Sequence, residues 1–234
     1  MPDAINDLVV RLTEFLVQYG GMLSEATGVT LLMVTVSTLI AYLVGIPIAM
    51  LSKVTEPGSL WPCSVLNAVV GWIINMGRSI PFIILMIALL PVTRVIVGTT
   101  IGPAGAIVPL SVAAIPFVAR MVESSFSEIH PGCIEAGRAF GANTFQIITK
   151  LYVRESLPSL VRGSAITYIT LIGYSAMAGA IGAGGLGDVA IRFGFYRYKT
   201  DVLIATIIIL IILVQIIQSI SDLIARKIDK RQKN

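Results

Sequence analysis

The sequence predicts an all-α, polytopic membrane protein that crosses the bilayer with five transmembrane helices. Of its 234 residues, 56% are hydrophobic and only 13% are charged, whereas soluble domains average about 25% charged residues. The mean hydropathy of +0.88 agrees with a membrane protein. Charged residues are absent from the runs 26–52, 95–119, 163–187 and 202–221, and each run can supply the roughly 20 apolar residues of a spanning helix. These observations exclude a water-soluble fold.

Residues 1–25 precede the first charge-free run and are mixed in character. Apolar residues recur there at helical spacing, namely Leu8, Leu12, Phe15, Leu16 and Tyr19. We therefore predict a short amphipathic helix that lies at the outer, periplasmic membrane interface and ends at Gly20 and Gly21. The first spanning helix is predicted at about 26–52.

The region 57–93 is apolar apart from Arg78, and Pro81 follows closely. Two full spans would need a tight turn near Arg78, and the second span would be shorter than a membrane. We therefore predict one span, at about 64–96. Arg78 then lies inside a span, where a charge is costly. Its side chain either contacts substrate, ties helices together or snorkels to the interface, and all three roles fit the sequence.

The remaining spans are predicted at about 103–122, 161–183 and 201–225, and a basic cytoplasmic tail follows at 226–234. The charge-free run that begins at residue 163 is dense in Gly, Ala and Ser. Small residues let helices approach closely, and they also leave room for a path between helices. The sequence is compatible with plain helix packing and with a helix that lines a pathway.

The placement of Lys and Arg indicates the orientation, because cytoplasmic loops are enriched in both. With five spans, eleven of these residues fall on the side of the loop 127–158 and five fall on the other side. This asymmetry predicts an outside N-terminus and a cytoplasmic C-terminus. The basic cluster at 192–199 runs against the trend, and we expect it to meet a partner or a substrate carboxylate.

The loop 127–158 is polar, unlike its flanks. Pro131 suits the first turn of a helix, because its missing N–H would be unpaired there. Gly141 can adopt the left-handed conformation that ends this helix, and Asn143 or Thr144 can cap a second one. Apolar residues form a stripe along the second helix, namely Phe145, Ile148, Leu151 and Tyr152. Two helices joined at glycine are predicted, seated against a partner or lying on the membrane surface.

The sequence contains no motif that, in its context, predicts nucleotide binding, hydrolysis or metal binding. Residues 182–187 match G-x-G-x-x-G by letter, but a dinucleotide site needs that turn after a strand, and here a membrane span precedes it. We expect a flexible turn at the outer face. No G-x-x-x-x-G-K-[ST] or G-x-S-x-G sequence occurs, and Cys63, Cys133 and His130 form no metal-ligand pattern. The chain is predicted to bind no cofactor or metal and not to be an enzyme.

The energy for any transport is expected to come from another chain. Asp and Glu are absent from the interior of every predicted span. A carrier driven by protons or sodium normally needs such a carboxylate or an ion site in a broken helix. An ion-coupled mechanism is therefore disfavoured.

The acidic-Ala-small triplet Glu135, Ala136 and Gly137, followed by Gly141 and a Leu-Pro close at 157–158, resembles the EAA loop of ABC importer permeases. In that family the loop is a coupling helix that docks into a cleft on a cytoplasmic ATPase. The resemblance implies that Glu135, Ala136, Gly137 and Gly141 form the docking surface.

Two positions depart from the pattern of that family. The third position of the triplet is Gly137 rather than alanine, and Arg154 stands where many relatives have proline. The second departure puts the exit geometry of the second helix in doubt.

Further runs, at 78–84, 91–99, 116–123 and 173–177, resemble the methionine-importer permeases, a small five-span group of the type I ABC importers. The resemblance implies the type I permease fold, a homodimer of this chain and a location in the bacterial inner membrane. It also implies two cytoplasmic ATPase subunits, which hold ATP and Mg²⁺, and an external methionine-binding lipoprotein.

The same resemblance implies that Met177, with Tyr174 and Ser175, narrows the translocation pathway at the dimer axis, and Arg78 is a further pathway candidate. A flexible thioether can fill an irregular gap and move aside. A methionine that only packs in the core is the alternative for Met177.

The sequence therefore leaves three candidate functions for the chain. The first is a permease that moves methionine inward, in its D form, its L form or both, driven by a separate ATPase. The second keeps this machine and changes the cargo to another small amino acid or a quaternary ammonium compound. The third is an ion-coupled carrier or channel that works alone, which the missing carboxylates disfavour.

Overall fold

The computed structural model describes residues 2–229, with the side chains of residues 6, 7, 10, 11 and 13–229. Within these residues the chain is all-α, as predicted, with helices α1 (Pro2–Thr55), α2 (Ser64–Ser79), α3 (Phe82–Val97), α4 (Gly102–Ser127), α5 (Pro131–Ala139), α6 (Thr144–Gln146), α7 (Val153–Gly179), α8 (Gly185–Val189) and α9 (Thr200–Ile228). π-helical turns at Ile147–Tyr152 and Ala190–Phe195 precede α7 and follow α8. The tail from residue 230 and the side chains of Leu8 and Leu12 lie outside the described residues.

The first helix does not end at Gly20 and Gly21, so the prediction of a separate N-terminal helix is wrong. α1 runs unbroken for 54 residues. A glycine weakens a helix by only about 1 kcal/mol, and packing can outweigh this cost. Leu23 is buried in a cluster with α8 and α9, and Tyr19 packs edge-on to Phe193 with ring centroids 6.5 Å apart.

The predicted span 64–96 is not one helix. α2 and α3 have 16 residues each and are bent by 105°. Pro81 accounts for the bend, because it disfavours helical backbone in the residue before it, and Ile80 is extended with φ −84° and ψ 123°. A helix of this length measures about 24 Å, less than the hydrocarbon core of about 30 Å. The pair therefore forms one broken span or a re-entrant loop.

Three helices of the described chain are long and apolar enough to cross a membrane, namely α1 from Thr13 onward, α4 and α9, and the bent pair supplies a fourth crossing if it counts as one span. α7 is not among these helices, because its many Gly, Ser, Thr and Tyr residues make it less apolar than α1, α4 and α9. Its charge-free part, 163–179, falls within the predicted span 161–183.

α4 lies at the centre of the bundle and packs against α1, α2, α3 and α7. Leu110 and Val118 of α4 are fully buried. The contact with α1 needs Gly45, where a Cβ atom would lie 2.8 Å from Val118 Cγ1. α9, in contrast, exposes most of its isoleucines. A helix that is apolar on its exposed side is typical of a membrane span, with this side toward lipid.

Candidate functional site

Residues 130–152, called the elbow below, comprise α5, α6 and the first π-helical turn. α5 begins at Pro131 as predicted, and His130 caps it by accepting a hydrogen bond at Nδ1 from the Gly132 N–H at 3.1 Å. Gly141 has φ +76°, the left-handed conformation predicted for the end of this helix. The left-handed residue that follows α5 is therefore the glycine that the sequence predicted, Gly141.

Asn143 caps the second helix of the elbow. Its Oδ1 accepts a hydrogen bond from the Gln146 N–H at 2.9 Å, and Gln146 Oε1 accepts one from the Asn143 N–H at 3.0 Å. This reciprocal pair is a capping box. Of the two predicted caps, Asn143 and Thr144, the structure uses Asn143. The helix then continues through Ile147–Tyr152 into α7 without a break at Arg154.

The predicted apolar stripe of the second helix is partly wrong. Phe145 is 73% exposed, whereas Ile147, which was not predicted, is 1% exposed. A π-helical turn bonds residue i to i+5 and so changes which side chains face the core. Tyr152 is buried as predicted and packs edge-on to Phe126 of α4, with ring centroids 5.4 Å apart.

The four residues predicted to dock an ATPase all lie in the elbow, and they differ in exposure. Glu135, Ala136 and Gly141 are exposed, and Gly137 is half-buried. A Cβ atom at Gly137 would lie 2.6 Å from Leu151 Cδ1, so glycine lets α5 pack against the π-helical turn. This contact gives a physical reason for glycine at the third triplet position, where Gly137 supports the elbow from inside.

Two large aromatic side chains flank Gly141 on the elbow. Phe140 is 91% exposed and Phe145 is 73% exposed. α5 contains no buried residue. Exposed aromatic residues on a water-side loop are typical of a surface that another protein covers, because aromatic anchors carry much of the energy of such interfaces.

Arg138 connects the elbow to the turn between α1 and α2, a contact that sequence analysis missed. Its Nη2 donates a hydrogen bond to the Ser59 carbonyl oxygen at 2.9 Å. A groove of about 300 Å³ separates α5 from this turn and is lined by charged and apolar side chains, including Lys53 and Glu135. A Pro-Gly pair at 57–58 signals the turn, but no sequence spacing indicates that the elbow reaches it.

Polar contacts join the ends of α1 and α4 beside this groove. Ser52 Oγ donates a hydrogen bond to Glu123 Oε1 at 2.8 Å. Lys53 Nζ, in turn, donates to Ser127 Oγ at 3.1 Å. The turn that accepts the Arg138 hydrogen bond is therefore fixed to the central helix of the bundle.

Met177 lies on an exposed face of α7 and is itself 48% exposed. Helical spacing places Ile166, Thr170 and Gly173 on the same face. A Cβ atom at Gly173 would have no neighbour within 4 Å. This face therefore has free space beside it in a single chain, as a pathway-lining or partner-facing surface requires.

The other three pathway candidates have different surroundings. Tyr174 stacks on Phe82 with ring centroids 4.5 Å apart, which joins α7 to the first residue of α3. The Ser175 hydroxyl is buried and donates to the Ile172 carbonyl oxygen at 2.7 Å, so it faces its own helix and not open space. Arg78 is exposed in the last turn of α2, at a helix end from which a side chain can snorkel.

Gly179 at the end of α7 and Gly187 of α8 let these two helices pack closely. A Cβ atom at Gly187 would lie 2.5 Å from the Ala176 carbonyl oxygen, and one at Gly179 would meet the backbone of α8 at similarly short range. The small-residue region of α7 therefore divides in two. It packs against α8 at its end, and it is open around Gly173.

The glycine-rich turn 182–187 is a packed connection, so the prediction of a flexible turn is wrong. Gly182, Gly184 and Gly185 have positive φ angles, which glycine adopts without strain. Leu186 is fully buried, and its N–H donates to Thr30 Oγ1 at 2.9 Å. The G-x-G-x-x-G spacing thus shapes a turn that packs on α1, and a helix, not a strand, precedes it.

Cys63 and Cys133 are both free and exposed. Among residues 2–229, no three His, Cys, Asp or Glu side chains are grouped so that they could hold a metal ion.

Comparison with known proteins identifies the relatives of the chain. Residues 45–234 match the family model described as binding-protein-dependent transport system inner membrane component. The chain is 47% identical over 210 residues to a protein of Vibrio cholerae named a probable D-methionine transport system permease protein, covering 90% of this chain and 93% of the relative. It is 45% identical to the methionine import system permease protein of Bacillus subtilis, covering 76% of this chain and 80% of the relative.

Solved structures show the same likeness. A chain from the MetNI methionine ABC transporter, in an inward-facing conformation, matches with a TM-score of 0.90 and 46% identity, covering 91% of this chain and 99% of that chain. An amino acid ABC transporter matches with a TM-score of 0.74 at 18% identity, covering 91% of this chain and 96% of that chain, and shares the fold.

Proposed function

The chain belongs to the family of binding-protein-dependent transport system inner membrane components, and we propose that its cargo is methionine, in its D form, its L form or both. The predicted fold of a type I ABC importer permease is confirmed by the MetNI match. The chain is a multi-pass protein of the bacterial inner membrane. As the membrane component of a transporter it is a transport subunit and not an enzyme.

Similarity to methionine transporters is the main support for methionine as the transported solute. Relatives named for methionine transport are 47% and 45% identical to this chain. The MetNI chain shares the fold over 91% of this chain at 46% identity. The alternative cargoes, another small amino acid or a quaternary ammonium compound, have no comparable support.

The permease works as a homodimer with two cytoplasmic ATPase subunits, which bind ATP and Mg²⁺, and an external binding lipoprotein delivers methionine. The match to an ABC transporter supports the ATPase partner. The exposed elbow supports its docking place. Glu135, Ala136 and Gly141 contact the ATPase, and Phe140 and Phe145 become buried there.

Motion of the ATPases reaches the membrane helices by two connections. The elbow continues through a π-helical turn into α7, and Arg138 ties α5 to the turn after α1. Because packed helices move as rigid bodies, displacement of the elbow displaces α7 and with it Met177. Met177, Tyr174 and Arg78 are the candidates for residues that line the pathway.

The N-terminus lies outside and the C-terminus lies in the cytoplasm. This orientation puts the elbow on the side that contains ATP and the glycine-rich turn on the outer side. The excess of Lys and Arg on the elbow side, eleven against five, supports it.

Uptake of labelled methionine tests the function. Vesicles that hold this chain with its ATPase and binding protein accumulate methionine when ATP reaches the elbow side, and a hydrolysis-dead ATPase abolishes the accumulation. Accumulation that persists with the dead ATPase contradicts the ATP-driven mechanism. Tight binding of another solute, and not of methionine, by the external protein contradicts the cargo and leaves the mechanism standing.

A further inference from the structure

Residues 192–199, called the outer segment below, join α8 to α9 and carry an exposed aromatic and basic surface. Phe195, Tyr196 and Tyr198 are 69%, 71% and 86% exposed. Large exposed aromatic side chains grouped in this way mark a surface that something else covers. We propose that the outer segment binds the headgroups of anionic phospholipids in the adjacent leaflet of the membrane. The proposal does not depend on which solute the permease moves.

Two guanidinium groups of the outer segment share one aromatic ring. The Cζ atoms of Arg192 and Arg197 lie 5.2 and 4.7 Å from the centroid of the Phe193 ring. Asp188 pairs with Arg192 at 3.0 Å. Arg197 and Lys199, in contrast, pair with no carboxylate in the described part of the chain. These two exposed cations can therefore donate charge-assisted hydrogen bonds to a phosphate group.

The backbone of the outer segment is a defined turn. The Tyr196 N–H donates to the Ile191 carbonyl oxygen at 2.9 Å, and the Lys199 N–H donates to the Phe193 carbonyl oxygen at 3.0 Å. Tyr198 has φ +55°, a left-handed conformation that residues other than glycine rarely adopt. The turn thus presents its aromatic and basic side chains from a fixed backbone.

The outer segment lies against the start of the lipid-facing surface of α9. A Cβ atom at Gly194 would lie 2.8 Å from Leu203 Cβ, so the segment packs directly on Leu203. Ile207 lies one helical turn further along the same side of α9 and is 47% exposed. The segment is therefore continuous with a surface that faces lipid.

Helix α1 measures the depth of the outer segment in the membrane. Leu23 of α1 lies in one buried cluster with Val202, three residues after the segment. Toward the other membrane face, the N–H of the exposed Trp61 donates to the Val54 carbonyl oxygen at 2.9 Å. The helix from Leu23 to Val54 rises about 46 Å, or about 44 Å across the membrane at an average tilt of 20°. A bilayer with its headgroups is about 40–45 Å thick, so the segment lies at the headgroup layer.

Aromatic and basic residues at this depth are typical of contact with headgroups. Tyrosine and tryptophan are enriched at both membrane–water interfaces, and each Lys or Arg near an anionic surface adds attraction. An acidic surface of an external protein also suits the cations of the outer segment. Such a protein does not require the segment to lie level with the headgroups and beside a lipid-facing helix, so these two observations favour lipid.

Depth-dependent fluorescence quenching tests the proposal. The permease–ATPase complex is placed in lipid nanodiscs with Trp61→Phe and Trp72→Phe in the permease, and Tyr196→Trp supplies an indole in the outer segment. A complex whose permease lacks tryptophan gives the background of the ATPase. We expect lipid brominated close to its headgroup to quench at least about twofold more than lipid brominated near the chain ends. Phe195→Trp is the second reporter if Tyr196→Trp prevents folding.

The charge of the headgroup is tested with the same reporter. Brominated phosphatidylglycerol and brominated phosphatidylcholine are compared at equal, low mole fraction, and we expect the anionic lipid to quench at least about twofold more. Arg197→Gln with Lys199→Gln should make the two lipids equal. Arg94→Gln, which removes an exposed cation outside the segment, should leave the ratio unchanged. A permease with Trp61 as its only indole, at the opposite membrane face, should not respond to Arg197→Gln with Lys199→Gln.

The competing results are distinct. Equal quenching by the two lipids, with Arg197 and Lys199 in place, overturns the proposal. Stronger quenching by bromine near the chain ends puts the segment in the hydrocarbon and contradicts contact with headgroups. Weak quenching by both lipids, together with quenching by soluble acrylamide that the external binding protein relieves, means that a protein covers the segment, which also overturns the proposal.

Discussion

Arg138 Nη2 lies 2.9 Å from the carbonyl oxygen of Ser59, a residue 79 positions earlier in the chain. This hydrogen bond joins α5 to the turn after α1, and Lys53 and Ser127 join the end of α1 to α4. The elbow therefore has a side-chain connection to the bundle in addition to its direct continuation into α7.

The first prediction concerns this connection. Arg138→Ala should leave the ATPase bound but lower the methionine transported per ATP hydrolysed by about two- to tenfold, because one hydrogen bond of about 0.5–1.5 kcal/mol no longer transmits motion to α1 and α2. Uptake and ATP hydrolysis are measured on the same vesicles. Arg138→Lys, which keeps a donor, should recover part of the ratio.

Arg154→Ala is the matched control for Arg138, because Arg154 is an exposed cation of the same loop. It should leave the ratio unchanged. If Arg138→Ala transported as much methionine per ATP hydrolysed as the wild type, the contact with Ser59 would not transmit motion from the elbow to α1.

Gly141 provides the second prediction, through its left-handed backbone at φ +76°. A β-branched residue there costs about 1–2 kcal/mol, so Gly141→Val should weaken co-purification of the ATPase by about five- to thirtyfold. Gly71→Val is the control, since a Cβ atom at Gly71 meets nothing within 4 Å and its φ angle is not positive. Undiminished ATPase association in Gly141→Val would contradict the docking role of the elbow.

The elbow shows what local chemistry predicts and what it leaves out. The helix start at Pro131, the left-handed Gly141 and the Asn143 cap each depend on one residue and its nearest neighbours, and all three are confirmed. The exposure of Phe145 depends on a π-helical turn that has no sequence signature. The Arg138 contact depends on how distant segments pack.

The third prediction concerns the close contact of α7 with α8. Gly187→Ala should lower the stability of the purified protein by about 1–3 kcal/mol, because the new methyl group would lie 2.5 Å from the Ala176 carbonyl oxygen and must push the helices apart. Gly173→Ala has open space and should raise stability by up to about 1 kcal/mol through better helix propensity. Thermal unfolding in detergent measures both, and equal effects would contradict this packing.

Two buried threonines supply the fourth prediction. Thr30 and Thr93 are each 1% exposed, but Thr30 Oγ1 accepts the Leu186 N–H at 2.9 Å whereas Thr93 Oγ1 has no partner. Thr30→Val should therefore cost about 1–3 kcal/mol, and Thr93→Val should be neutral or stabilise by about 1 kcal/mol. The same unfolding assay compares them, and a larger loss for Thr93→Val would refute the assignment.

The membrane helices illustrate a different limit of sequence analysis. Charge-free runs located the apolar segments, since lipid leaves few alternatives to apolar helices. They did not show that α1 continues through Gly20 and Gly21, because that depends on packing against α8 and α9. Pro81 marked a break, but neither the 105° bend between α2 and α3 nor the stacking of Phe82 on Tyr174 of the distant α7 has a local sequence signal.

The central claim is that this chain transports methionine only when an ATPase is bound to its elbow. The most direct test compares methionine uptake by vesicles that contain the permease alone, under proton and sodium gradients, with uptake by vesicles that contain the permease, its ATPase and its binding protein with ATP. The account predicts no uptake in the first case and accumulation in the second. Gradient-driven uptake by the permease alone would contradict it.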